Sequence, residues 1–97
     1  MNEMTIQVPR ITLSSRSGRV LATAFVRIDF DGIFIKTGPW RVLDRDGTDP
    51  VVVAPDVRLD GRWVRTIEMP RGLFGQVESA VLEAWKDQAD SSEVANG

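Results

Sequence analysis

Val20 to Phe30 alternates without interruption. Every even position is apolar (Val20, Ala22, Ala24, Val26, Ile28, Phe30), and the odd positions (Leu21, Thr23, Phe25, Arg27, Asp29) are mixed. Successive side chains of a strand point to opposite faces, so this pattern predicts a long strand with one face on a core. Asp31-Gly32 follows, flanked by Phe30 and Ile33. Such a pair predicts a two-residue hairpin, because the turn demands positive φ and Gly accepts it. The resulting register sets Phe30 opposite Ile33 and Ile28 opposite Ile35 on the core face, and Asp29 opposite Phe34 on the other. Leu21, Phe25 and Phe34 then share a second, partly apolar face. A sheet that is apolar on both faces needs a second cover, either the helix or another subunit. In the second case these three residues are the candidates for the subunit interface.

The remaining elements follow from the same rules. Thr5 to Leu13 alternates loosely around Pro9, as an edge or bulged strand does. Ser14 to Gly18 is a turn by composition. Gly38-Pro39 predicts a break, with a short strand from Trp40 to Leu43 after it. Asp44 to Pro50 reads as a polar loop, and Val51 to Ala54 as a buried central strand. Asp56 to Gly61 reads as a loop and Arg62 to Glu68 as a further strand. Leu73, Phe74, Val77, Ala80, Val81, Ala84 and Trp85 recur at three- and four-residue spacing. That is one face of an amphipathic helix from about Arg71 to about Asp87. The expected fold is α+β: a largely antiparallel sheet of about six short strands with one C-terminal helix. One domain is expected over residues 1–90, with a flexible tail at 91–97.

Composition narrows the chemistry. The 97 residues include no His, Cys or Tyr. Imidazole bases, thiol nucleophiles, disulfides and thiolate zinc sites are therefore excluded within the chain. Paired carboxylates, Lys36 or Lys86 remain as catalytic possibilities, but the expectation is a protein that is not an enzyme and takes no cofactor, metal or small-molecule substrate. The N-terminal residues lack the pattern of a signal peptide, and no apolar run reaches the roughly 18 residues of a membrane span. A cytoplasmic protein without membrane contact is expected. Asp44 to Asp49 lacks the ligand spacing of a calcium loop.

Charge is unevenly distributed. The net value is −2, from 12 basic and 14 acidic side chains. The last twenty residues hold Lys86 against Glu78, Glu83, Asp87, Asp90 and Glu93, so the body is mildly basic and the C-terminal end acidic. Arg58, Arg62, Arg65 and Arg71 are the densest basic stretch, with Trp63 among them. The planar fork of Arg suits phosphate. Trp63 has two readings: a core position sharing a strand face with Ile67, or an aromatic on which an unpaired base stacks. Asp56, Asp60 and Glu68 interrupt the run and are placed to neutralise it. Arg71-Gly72 at a helix start adds free N–H groups that favour an anion. Arg71-Gly72-Leu73-Phe74-Gly75 is a weak match to the GXXG loop of KH domains, which joins two helices where this chain offers one. Arg10, Arg16, Arg19 and Arg27 form a second basic set.

Four stretches in order carry a family resemblance. They are Ser17-Gly18-Arg19 leading into Val20–Asp29; Trp40-Arg41-Val42-Leu43-Asp44 before a Gly-containing loop; Val52-Val53-Ala54-Pro55 followed by Asp60-Gly61-Arg62-Trp63; and Gly75 to Leu82. Together, from about Val8 to about Trp85, the chain resembles the SpoVG family, named after stage V sporulation protein G. The resemblance implies a homodimer that binds DNA and RNA and regulates gene expression, septation and cell division, without enzymatic activity. It places the binding determinants between the late strands and the helix start, on Arg58, Arg62, Arg65 and Arg71. Two departures stand out. Family members commonly carry adjacent basic residues after the strand that ends in Pro, where this chain reads Asp56-Val57-Arg58, and residues are added here around Gly38-Pro39. The alternative reading is a protein-interaction module of the same fold, whose acidic helix with Glu78, Glu83 and Asp87 meets a basic partner.

Overall fold

The alternating stretch and its Asp-Gly turn form the centre of the molecule. A computed structural model describes residues 4–14, 18–46 and 48–96, with side-chain surroundings through residue 90. Strands β1 (Met4–Leu13), β2 (Val20–Phe30), β3 (Ile33–Arg45) and β4 (Thr48–Val53) make one antiparallel sheet in the order β1-β2-β3-β4. Strands β5 (Asp56–Leu59) and β6 (Arg62–Arg65) form a separate antiparallel hairpin, and α1 (Arg71–Asn96) follows. The fold is α+β, as the order of elements predicts.

Asp31 and Gly32 take φ of 52° and 78°. The pairs Phe30–Ile33, Asp29–Phe34 and Ile28–Ile35 form in the register expected from the turn. Ala22, Ala24, Val26 and Ile28 of β2 are buried with Trp40 and Val42 of β3, Val52 of β4, and Val77 and Val81 of α1. Burying each such valine contributes about 1.5–3 kcal/mol. The helix face is the one its spacing predicts, with Leu73, Phe74 and Trp85 packed at the margin. Trp40 anchors the centre. Its Nε1 donates to Thr37 Oγ1 at 2.8 Å, and its ring centroid lies 5.6 Å from that of Phe74. The indole N–H therefore has a partner at the edge of the core, as a buried tryptophan requires.

Several expectations are corrected. Phe30, Ile33 and Ile35 lie on the core face of the hairpin yet are 45%, 63% and 52% exposed. The helix packs chiefly on the edge strand β1 and less on β2, β3 and β4. One helix about 10–12 Å across is narrower than four strands spaced about 4.8 Å apart, and the turn end of the β2–β3 hairpin is left open. Gly38-Pro39 does not break the strand: β3 runs through it with a register shift between Ala24 and Val26. The bulge accommodates a proline without an N–H to donate. The run Val51–Val53 belongs to an edge strand rather than a central one, which suits Pro50 within β4.

Asp56 to Gly61 is the first half of a hairpin rather than a loop, and β6 ends at Arg65, short of Glu68. The helix continues to Asn96, past the predicted end near Asp87 and into the segment expected as a tail. Neither Gly nor Pro occurs between Gly75 and Gly97, so no strong breaker stops it. Among the described residues no helix is long and apolar enough to cross a membrane.

Candidate nucleic-acid interface

The β5–β6 hairpin carries three of the four arginines expected to bind. Its turn repeats the chemistry of the first one, with Asp60 at φ 49° and Gly61 at φ 75°. Its base is closed by Thr66, whose N–H and hydroxyl both donate to the Pro55 carbonyl, at 2.9 and 3.1 Å. The cross-strand pairs are Asp56–Arg65, Val57–Val64, Arg58–Trp63 and Leu59–Arg62. Directly opposed residues share a face and successive ones alternate. One face of the ribbon therefore presents Asp56, Arg58, Trp63 and Arg65. The other presents Val57, Leu59, Arg62 and Val64. The structure brings Arg58, Arg65 and Trp63 together and sets Arg62 on the reverse side.

Trp63 is not a core residue. It is 63% exposed, and the face it was expected to share with Ile67 does not exist, because β6 stops before Ile67. Two guanidinium groups stand near its ring. The Cζ atoms of Arg58 and Arg41 each lie 5.9 Å from the ring centroid, at the outer range of cation–π attraction.

Arg41 is the residue that sequence reasoning missed. Its Nη2 donates to both carboxylate oxygens of Asp56, at 2.9 and 3.0 Å. Asp56 is the acid that stands across from Arg65 and next but one to Arg58, and it is already engaged by a cation from β3. Among the described residues, the ion pairs join Arg19 to Asp46, Arg27 to Asp29 and Arg41 to Asp56. Arg58, Arg62, Arg65 and Arg71 take part in none of these, and all four are exposed. No local signal links Arg41 to a residue fifteen positions away. The hairpin did have one: Asp60-Gly61 between Leu59 and Arg62 is the same pair that marks the β2–β3 turn.

The basic surface continues to the helix. The Phe74 N–H donates to the Pro70 carbonyl at 2.9 Å, and the first turn carries no acidic side chain. Arg71 is exposed at that end, where the helix dipole adds positive potential. The Arg65 guanidinium lies 5.5 Å from the Phe74 ring centroid. Arg65, Arg71, Phe74 and Glu78 line one shallow depression. The segment Arg71–Gly75 is helical throughout and so forms no GXXG loop.

The other expected residues are dispersed. Arg10, Arg19 and Arg27 lie on β1, just before β2 and within β2, while Arg16 lies outside the described residues. Leu21 is half-buried against the core; Phe25 and Phe34 are exposed. The Arg27 guanidinium lies 4.2 Å from the Phe34 ring centroid while its Nε donates to Asp29 at 2.7 Å. The Phe25 ring rests on Gly38. In the loop after β3, Asp46 faces Arg19 at 4.0 Å, and Gly47 lies outside the described residues. No family model, curated protein or solved structure matches the chain.

Proposed function

We propose that this chain is a small nucleic-acid-binding regulator of the SpoVG type, acting as a cytoplasmic homodimer in gene expression and cell division by binding rather than by catalysis. One observation carries the reading: Arg41 holds Asp56 and leaves Arg58, Arg65 and Arg71 as a run of exposed guanidinium groups without an ion-pair partner among the described residues. Phosphate is the ligand such a run suits, since guanidinium donates paired hydrogen bonds to it. Three neutralised phosphates correspond to a slope of about −2.7 in log K against log salt on B-DNA. Titration of labelled DNA and RNA over a salt series tests this. Failure to bind any duplex or single strand at about 50 mM salt contradicts it.

Exposed apolar side chains support the homodimer. The reverse face of the hairpin shows Val57, Leu59 and Val64 to solvent, and Phe25, Phe30, Ile33, Phe34 and Ile35 are also exposed. A two-stranded hairpin alone is marginally stable in water, and clustered apolar side chains left in water are what a subunit contact covers. A second copy is the proposed cover, on the sheet face of Phe25 and Phe34 with Leu21 at its margin, or on the apolar hairpin face.

A second reading rests on the helix, whose exposed Glu83, Asp87 and Asp90 form an acidic surface. A basic protein partner would bind there. Capture of such a partner undisturbed by Arg58→Ala with Arg65→Ala favours this alternative.

A further inference from the structure

The three tryptophans have different environments. Trp40 is fully buried and Trp85 is half-buried against the core, whereas Trp63 is largely in water beside two cations. An exposed indole among guanidinium groups fits a ligand that offers flat aromatic surfaces and negative charges at short intervals. A single nucleic-acid strand has that composition: each nucleotide supplies a phosphate and a base with two open faces. A duplex supplies the phosphates, but its bases are stacked on one another and show only their edges in the grooves.

We propose that Trp63 stacks on an unpaired base while Arg58, Arg65 and Arg71 hold the flanking phosphates, so that this interface selects single-stranded over double-stranded nucleic acid. The inference rests on the nucleic-acid reading above and specifies its ligand. The ribbon places the ring and the cations on one face, with Arg58 directly across the strand from Trp63 and Arg65 two residues along. Beyond Arg65 lie Phe74 and the helix start with Arg71. Cationic and aromatic groups thus neighbour one another in turn, from Arg58 and Trp63 to Arg65, Phe74 and Arg71, the two kinds of group that sites for single strands without strict sequence preference combine. Stacking carries no counterion term, so the single-strand complex retains more affinity as salt rises than the duplex complex does.

The test uses the full chain, a labelled oligothymidylate of about 20 nucleotides and a duplex of equal length, titrated by anisotropy over a salt series. The expected result is tighter binding of the single strand, with quenching of tryptophan emission on its addition. Trp63→Ala should weaken single-strand binding about 5- to 150-fold, the range for loss of one stacked base, and leave duplex binding nearly unchanged. Trp63→Phe should keep most of the preference, and thermal unfolding of both variants checks that the fold is intact. Equal affinity for the two forms, or a Trp63→Ala variant that binds the single strand like the parent, overturns stacking while phosphate contact stands. A Trp63 emission that changes with protein concentration and not with oligonucleotide also overturns it, and assigns the ring to a subunit contact. Binding to neither form overturns the nucleic-acid reading as well.

Discussion

Arg41 and Asp56 are joined across two separate sheets: one guanidinium nitrogen of β3 donates to both oxygens of a carboxylate at the start of β5, at 2.9 and 3.0 Å. The contact ties the projecting hairpin to the main sheet, and it decides the charge of the face that the hairpin presents. The side chains are 29% and 21% exposed, so the pair is partly shielded from water. Arg41→Ala should therefore cost about 1.5–3 kcal/mol, the range for hydrogen bonds to charged groups. Urea unfolding measures this, and the same substitution in an Asp56→Ala background should cost less. Nucleic-acid affinity should also fall in Arg41→Ala, since the released carboxylate stands opposite Arg65, and should return in Arg41→Ala with Asp56→Asn. An Arg41→Ala chain with unchanged affinity contradicts the role given to this pair.

Gly38 lies under the ring of Phe25. It takes φ 154°, and an added Cβ would collide with the Phe25 ring. Gly38→Ala should destabilise the fold by about 1–3 kcal/mol, as overpacking does. Adding Phe25→Leu should recover part of that loss but not all, because the backbone conformation remains unfavourable for a side chain. Denaturation midpoints of the single and double variants separate the two contributions.

Leu59 is exposed on the apolar face of the hairpin, with Val57 and Val64. A second copy covering this face gives a solution mass of twice 10.8 kDa. Leu59→Glu should then shift the species toward monomer, because a charge buried without a partner is costly. Sedimentation at micromolar concentration reads the outcome. A parent chain that is already monomeric there contradicts the homodimer, and a dimer indifferent to Leu59→Glu but broken by Phe34→Glu moves the contact to the outer sheet face.

The sequence revealed some elements more readily than others, for physical reasons. The turn end of the β2–β3 hairpin, with its pairs Phe30–Ile33, Asp29–Phe34 and Ile28–Ile35, is legible because the alternation of β2 and the turn pair point to one register, whereas the shift opposite Gly38-Pro39 is not. The β5–β6 hairpin has the same turn pair, but its strands are four residues each, too short for a period to emerge. Of the two readings of Trp63, the core one rests on Ile67, four positions on, and the strand between them ends at Arg65. β4 is an edge because the strands after it pair with each other instead of with it, and the exposure of Ile33 and Ile35 depends on where the one helix packs; no local pattern encodes either. Among the candidate binding residues, the local pattern does not encode which side chains share a face. Arg62 has the same composition argument as Arg58, and a single step along the strand turns it to the other side. Arg41 became visible only with the tertiary contact.

That division between Arg58 and Arg62 gives the sharpest test. The slope of log K against log salt on one duplex should be measured for the parent chain, Arg58→Ala and Arg62→Ala. Loss of one phosphate contact reduces the slope by about 0.9. The expected result is a shallower slope and weaker binding for Arg58→Ala, with Arg62→Ala matching the parent. Equal effects of the two substitutions, or no effect of Arg58→Ala, would contradict an interface built on the Arg58–Trp63–Arg65 face of the hairpin.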